Sequence, residues 1–180
     1  MNIHYKGITA EKLKTYFEEV YKVYEDLHPY KMVLQQKRVK ASTMQAQPLI
    51  SLRSLLGGKR KYKIQMGVFV KDSTEALIES LPEKVIKGWY AHELGHLIDY
   101  EEYSDHQMVI YGIKYLSSEA FKRKVEHDAD LHAINHGFGE EIIAAKKFIF
   151  SSELFGEQYK QHIKTYYMSI EEVEQRLKKD

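Results

Sequence analysis

The chain contains a His-Glu-x-x-His pattern, HELGH, at residues 92–96. In a helix, residues four apart lie one turn above each other, so His92 and His96 point in the same direction. This spacing allows one nitrogen of each imidazole to bind a single zinc ion at about 2.0–2.1 Å. Glu93 lies about 100° around the helix from His92. It is therefore beside the metal, where it can accept a proton from water and pass it to a leaving amine.

Coincidence is the simplest alternative explanation of this pattern. Nine histidines in 180 residues raise its frequency by chance, and two histidines on a buried helix could be core residues bonded to carbonyls. The surrounding segment 89–99 is, however, apolar around most of its circumference. Burying two histidines and a glutamate there imposes about three desolvation costs, which a metal ion would compensate. We therefore favour a metal site.

A third metal ligand must be His, Asp or Glu, because the chain has no cysteine. Downstream, Glu126 and Asp130 are four residues apart and share a helical face, which Ala133 and Gly137 continue. Small residues on that face would let this helix approach the HELGH helix closely. Glu126 would then bind the metal, and Asp130 would accept the far N–H of a ligand histidine and fix its tautomer.

Three nearby histidines are rival third ligands, namely His127, His132 and His136. His132 lies about 240° around the helix from Glu126 and cannot share its direction. The other interpretation of this segment is a solvated helix with patterned charges. Glu126 is the ligand that the spacing favours.

The two motifs together, HELGH at 92–96 and E-x-x-x-D at 126–130, resemble those of the gluzincin zinc metallopeptidases. The likeness extends over roughly residues 82–137 and includes minimal, soluble gluzincins and the ImmA-type repressor-cleaving proteins. It implies that His92, His96 and Glu126 bind zinc. It also implies that Glu93 is the general base and that Asp130 is the carboxylate that supports a ligand histidine. The chain departs from the membrane-embedded types in lacking transmembrane segments, and it shows no DNA-binding module.

The resemblance also implies two further parts of a peptidase. A strand above the active-site helix pairs with extended substrates in gluzincins, and segment 62–70 is either that strand or an ordinary strand of the sheet. An oxyanion donor is also needed, for which His162, Tyr166 and Tyr167 are candidates. Packing between helices is the alternative role for these aromatic residues. Asp99 lies on the His92 face and either steadies the site or is solvated.

Hydrophobic periodicity predicts an α+β fold, and the resemblance to gluzincins implies that its arrangement is zincin-like. We expect a small, mostly antiparallel N-terminal sheet with one helix, followed by a helical C-terminal half that carries the zinc site. The predicted N-terminal helix is 9–27, with Thr9 as its N-cap, and the predicted strands are 32–34, 42–47 and 62–70, with a turn at 55–58. The predicted later helices are 74–80, 83–101, 117–136, 140–152, 155–167 and 169–178.

Composition restricts the classes of protein further. The length of 180 residues fits one domain, with a helix-plus-sheet subregion at 1–72 and a helical subregion at 73–180. The formal net charge is +1, which argues against a phosphate-driven nucleic-acid binder. The basic residues between Arg53 and Lys63 are better explained as a solvated hairpin tip. No signal peptide or membrane span is evident, so we expect a soluble, cytoplasmic protein without membrane insertion.

These observations predict a metalloendopeptidase that hydrolyses a peptide or protein substrate with one Zn²⁺ ion. The alternative is a catalytically silent module in which structural zinc joins two helices and the surface binds a peptide or protein partner. A structural site needs a fourth protein ligand, for which His127, His132, His136 and His162 are available. An intact Glu93 has no use in such a site. No feature of the sequence sets an oligomeric state.

Overall fold

The computed structural model describes residues 2–38, 43–51, 54, 58–71 and 73–179. Within these residues the chain forms a four-stranded sheet and seven α-helices, which confirms the α+β class. The strands are β1 (Ile3–Lys6), β2 (Lys31–Gln36), β3 (Met44–Leu49) and β4 (Lys61–Met66). The helices are α1 (Glu11–Tyr21), α2 (Glu83–Glu101), α3 (Asp105–Ser117), α4 (Glu119–Asn135), α5 (Gly139–Ser151), α6 (Glu157–Tyr166) and α7 (Ile170–Leu177). Every helix in the described ranges is too short or too polar to cross a membrane.

The sheet is mixed, with the strand order β1-β2-β4-β3. β1 runs parallel to β2 and β2 parallel to β4, whereas β3 runs antiparallel to β4. The prediction of a mostly antiparallel sheet is therefore wrong. The physical reason is that β1 has only four residues, which alternate between half-buried and exposed and give little strand signal. Without β1, the sequence does not show that α1 is the crossover of a parallel pair.

β3 forms one edge of the sheet and continues through Pro48, where the sequence predicts its end. Its register pairs Ala46 with Ile64 and Pro48 with Tyr62. Alternate residues of an antiparallel strand direct their backbone groups away from the partner strand. The Ala46 N–H donates outward, to Glu93, so Pro48 also faces outward and its missing N–H removes no ladder hydrogen bond.

Helix boundaries differ from the predictions mainly near the N-terminus. The predicted helix 9–27 is α1 followed by a separate 3-10 turn at Glu25–Leu27. The N-cap is Ala10 rather than Thr9, and it has no side-chain capping bond. The predicted helix 74–80 contains only a 3-10 turn over its last residues. The later predicted helices agree with α2 and α4–α7 to within two residues at each end.

Two predictions concern segments that the structure shows differently or does not describe. The predicted strand 62–70 ends as β4 at Met66, after which only an isolated bridge between Phe69 and Leu77 extends the pairing. The predicted turn 55–58 lies outside the described residues except for Gly58.

α3 is a helix that the sequence analysis did not predict. It begins with a capping box, in which the Ser104 hydroxyl accepts from the Gln107 N–H and the Gln107 side chain accepts from the Ser104 N–H. Ser-x-x-Gln ahead of an apolar run is a known signal for a helix start, so the local sequence does contain the information. The omission matters because α3 contributes to the functional site.

α2 is the central helix of the molecule. It packs against α1, β3, α4 and α5, and residues 90–97 are all buried. The Tyr24 hydroxyl donates to the Ala91 carbonyl at 2.8 Å, and the Tyr90 hydroxyl donates to the Leu13 carbonyl at 3.2 Å. Because neighbours cover α2 on several sides, its sequence is apolar around most of its circumference rather than along one stripe.

Arg60 joins the start of β4 to the corner between α2 and α3. Its Nε lies 2.5 Å from Asp105 Oδ1, Nη1 donates to the Tyr100 carbonyl at 2.8 Å, and Nη2 donates to the Tyr103 carbonyl at 2.6 Å. Only 10% of the Arg60 side chain and 6% of the Asp105 side chain are exposed. The prediction of a solvated basic tip is therefore wrong for Arg60, because its guanidinium binds the carbonyls that end α2.

Replacing Arg60 should destabilise the fold through the unpaired carboxylate that it leaves. In Arg60→Met, Asp105 stays buried without its partner, and we expect the free energy of unfolding to fall by about 3 kcal/mol. Urea denaturation followed by circular dichroism measures this change. Lys59→Met is the matched control, since Lys59 is exposed and a surface substitution changes stability by about 0.5 kcal/mol or less. Equal stabilities of the two variants would contradict the role given to Arg60.

Candidate metal centre

α2 supplies three of the polar side chains of the site. His92, Glu93 and His96 are each 8% exposed. The rings of His92 and His96 lie on one face of the helix, with their centroids 4.7 Å apart. Glu93 lies beside them and faces β3, where its Oε2 accepts the Ala46 N–H at 2.5 Å.

α4 brings Glu126 against this pair of histidines. Its Oε2 lies 3.2 Å from His92 Nε2 and 3.4 Å from His96 Nε2. One ligand atom from each of the three residues lies within 4.8 Å of the other two. Two imidazole nitrogens and a carboxylate oxygen thus converge on one buried point. Their types and positions fit a metal ion, so this group could hold one.

The convergence depends on a close approach of α2 and α4 at Gly95. A Cβ at Gly95 would lie 2.4 Å from the Ala129 carbonyl oxygen, which is closer than real Cβ atoms come. Gly88, two turns earlier, meets the Glu141 carbonyl of α5 in the same way, at 2.3 Å. The sequence predicts small residues on the α4 side of this contact, where Ala133 is fully buried. Gly137 instead follows the helix, at a φ of 86°, and does not continue its face.

Asp130 lies behind His92, on the side away from Glu126. Its Oδ1 lies 2.9 Å from His92 Nδ1, which leaves His92 Nε2 directed at Glu126. Its Oδ2 accepts from Lys146 Nζ at 2.8 Å and from the Met168 N–H at 3.1 Å. Lys146 is 4% exposed and was not identified in the sequence. A lysine in an ordinary amphipathic helix gives no signal of burial.

The charges in this cluster shift the pKa values of its members. Burial lowers the pKa of His92, but hydrogen bonds to Asp130 and Glu126 raise it to about 10. Burial raises the pKa of Asp130, but the charge of Lys146 and the bond to His92 bring it to about 2. Burial also raises the pKa of Glu126, but His96 and His92 hold it well below its usual range. A metal ion must displace a proton from imidazole, so binding at His92 Nε2 releases one.

Two tyrosines of α3 complete the surroundings of the three ligands. The Tyr115 hydroxyl donates to Glu126 Oε1, so that Oε2 is the oxygen that faces the histidines. The Tyr111 hydroxyl donates to Asp99 Oδ2 at 2.7 Å. Asp99 is thus buried and bonded to α3 rather than solvated. Both tyrosines were missed in the sequence because α3 was not predicted.

The rival histidines of α4 do not join the group. His136 stacks on Tyr24 with ring centroids 4.0 Å apart, and its Nδ1 binds the His132 carbonyl at 2.7 Å. Within the described residues, the cluster that could hold a metal contains neither these histidines nor His127.

A cleft of about 750 Å³ opens over the three ligands. β3 forms one side of the cleft, and α3 forms the second side with Met108 and Gly112. The third side consists of Ile142 and Ile149 of α5 and Ile163 of α6. His162 and Tyr167 line the cleft, whereas Tyr166 is outside its lining. The ring of Tyr167 lies 5.2 Å from that of His92.

The strand beside the site is β3, not the predicted segment 62–70. β4, which corresponds to that segment, lies between β2 and β3 and has no free edge. The expectation that 62–70 pairs with a substrate is therefore wrong. Sequence periodicity identifies a strand but does not show which strand is at the edge of a sheet.

No protein-family model, curated protein or solved structure matches the chain. The chemistry of the site therefore follows from the positions of its own residues.

A methyl group at Gly95 should separate the two helices that carry the ligands. In Gly95→Ala, the new Cβ meets a backbone carbonyl that cannot rotate away, and overpacking of this kind costs about 1–3 kcal/mol. We expect lower stability in urea denaturation together with weaker binding of Zn²⁺ in calorimetry. Gly112→Ala is the matched control, since its Cβ meets nothing within 4 Å and alanine favours a helix by about 0.5–1 kcal/mol. Unchanged zinc affinity in Gly95→Ala would contradict this account.

Proposed function

We propose that this chain is a zinc metallopeptidase of the gluzincin type, with a zincin-like arrangement of its sheet and helices. One observation carries the proposal: His92, His96 and Glu126 converge on a point that faces a cleft, with Glu93 beside them. Three protein ligands, rather than four, are typical of a catalytic zinc site. The cleft adds the space that a substrate requires.

Zinc is the metal that best fits the donor set. Two imidazoles and one carboxylate, in a chain without cysteine, match the ligands of zinc metallopeptidases. When bound, zinc supplies Lewis-acid chemistry, which polarises a carbonyl and lowers the pKa of water to about 7. Asp130 supports this ligand set, because it holds His92 with Nε2 toward the metal position.

Glu93 is the proposed proton carrier. Its carboxylate is next to the two histidine ligands but outside the ligand group, and burial raises its pKa. A carboxylate with a raised pKa accepts a proton more readily than an exposed one, as a general base must. Glu93 would take a proton from the attacking water and deliver it to the amine that leaves when the peptide bond breaks.

β3 is the proposed binding edge for the substrate backbone. It is an edge strand and its residues from Met44 to Pro48 line the cleft; the Ala46 N–H is already bound to Glu93, so a substrate would use the other outward backbone groups of the strand. An extended peptide can add to such an edge through main-chain hydrogen bonds. His162 and Tyr167 are the proposed donors to the oxyanion, since both line the cleft. Tyr166 is not included, because it packs against Lys122 and His162 instead.

The alternative, a silent module with structural zinc, fits the geometry less well. A structural site is normally closed by a fourth protein ligand. In the described part of the chain, His92, His96 and Glu126 form the whole group. The buried Glu93 would also have no role there.

Glu93→Gln should abolish peptide hydrolysis and leave metal binding intact. Glutamine keeps an oxygen that can accept the Ala46 N–H, but it cannot accept a proton from water. General acid–base groups contribute about 10²- to 10⁴-fold to rates, so we expect a loss of at least that size on a quenched fluorescent peptide library. Zinc content should equal that of the wild type. Substantial turnover by the variant would rule out this mechanism.

A further inference from the structure

Lys71 places a positive charge at the end of the cleft where β3 begins. Lys71 lines the cleft, and its backbone N–H donates to Thr43 Oγ1 at 3.0 Å. Its Nζ lies 5.0 Å from the centre of the Tyr159 ring. Among the residues that the structure describes, no Asp or Glu forms an ion pair with Lys71.

A second lysine without an ion pair in the described ranges lies at the other end of α6. Lys122 is one turn before Glu126 on α4, and its Nζ lies 4.7 Å from the centre of the Tyr166 ring and 5.4 Å from that of Tyr115. His162 lies between the two lysines along α6. Burial lowers the pKa of His162, and the charges of Lys122 and Lys71 lower it further. Lys71 is thus in the lining of the cleft, and Lys122 lies outside the lining but next to Tyr115, which is part of it.

Three neighbouring lysines differ from Lys71 and Lys122 because each of them already forms an ion pair with a carboxylate. Lys146, the other lysine of the cleft lining, is bound to Asp130. Lys160 on α6 pairs with Glu157, and Lys124 on α4 pairs with Asp128. The negative charges inside the cleft, those of Glu93, Glu126 and Asp130, belong to the metal centre. As far as the described residues go, the Lys71 charge is therefore open to an anion that a ligand brings.

An amine held on a tyrosine face is suited to bind such an anion. The ring contact restrains the side chain but uses none of its three N–H donors. A carboxylate that reaches Lys71 would form a charge-assisted hydrogen bond without first breaking an ion pair to any residue in the described ranges. A peptide carries its negative charge as carboxylates, on acidic side chains or at its C-terminus, so a carboxylate is the anion that a peptide in this cleft would offer to Lys71.

We propose that the cleft selects peptides that carry a carboxylate, that Lys71 binds this carboxylate, and that Lys122 adds to the attraction. The inference rests on the proposed peptidase function for the peptide nature of the ligand, and it deepens that function by naming a substrate class. The carboxylate belongs either to an acidic side chain or to the C-terminus of the peptide.

Peptide binding to the Glu93→Gln protein tests this proposal without cleavage. The probes are fluorescein-labelled, alanine-based octapeptides of three kinds. The neutral probe contains Gln and has an amidated C-terminus. The second kind is a series that places one Glu at each position in turn, and the third is the neutral peptide with a free C-terminal carboxylate. We expect at least one carboxylate probe to bind about three- to tenfold more tightly than the neutral probe in fluorescence anisotropy at low salt. A gain for Glu alone identifies a side chain as the source, and a gain for the free end alone identifies the C-terminus.

Lysine variants in the same background assign the preference to a residue. Lys71→Met keeps an apolar stem against Tyr159 and should lose most of the preference for acidic probes, while Lys122→Met should lose a smaller part of it. Lys164→Met is the matched control. Lys164 is on α6, the helix that carries Tyr159, and its Nζ lies 5.5 Å from the Phe150 ring of α5, outside the cleft lining; this variant should keep the preference.

Equal binding of all three kinds of probe by the parent protein, or a full preference retained in Lys71→Met, would overturn the proposal. The experiments distinguish failure of the carboxylate site from failure of the proposed peptidase function. Wild-type protein that cleaves peptides without regard to their charge refutes only the carboxylate site. Protein that prefers acidic probes but never cleaves any peptide refutes only the catalysis.

Discussion

The contact between α2 and α4 at Gly95 and Ala129 is the constraint on which the site depends. Two helices normally lie 8–10 Å apart, with side chains between them. Here a glycine faces a backbone carbonyl at a distance that excludes any Cβ. This approach brings Glu126 within hydrogen-bond distance of His92 Nε2 and close to His96 Nε2. The glycine within the HELGH motif is therefore as important to the geometry as the three polar residues.

A continuous polar network extends outward from this contact. It runs from Lys146 on α5 through Asp130 to His92, and from His92 through Glu126 to Tyr115 on α3. Buried charges are costly unless they are paired and hydrogen-bonded. Each carboxylate here has a cation or a hydroxyl on its outer side, which fixes the oxygen that faces inward. The network thus orients the three candidate ligands, and a metal ion would supply further positive charge at their centre.

Much of this site could be predicted from the sequence, because its residues lie on two helices with regular spacing. A four-residue interval places His92 with His96, and Glu126 with Asp130, without knowledge of the fold. Residues from other elements could not be predicted in this way. Tyr115 depends on an unpredicted helix, Lys146 on the packing of α5, and Ala46 on the position of β3 at the sheet edge. The parallel pairing of the sheet was missed for a similar reason, since a four-residue strand gives little local signal.

Metal content tests the central claim most directly. Wild-type protein, Glu126→Ala and the control Asp128→Ala would be dialysed exhaustively after loading with Zn²⁺ and analysed for metals. Asp128 lies on the same helix but pairs with Lys124 instead of facing the histidines. The account predicts close to one zinc per chain in the wild type and in Asp128→Ala, and a clear loss in Glu126→Ala. Zinc absent from all three proteins, or retained equally in Glu126→Ala, would contradict it.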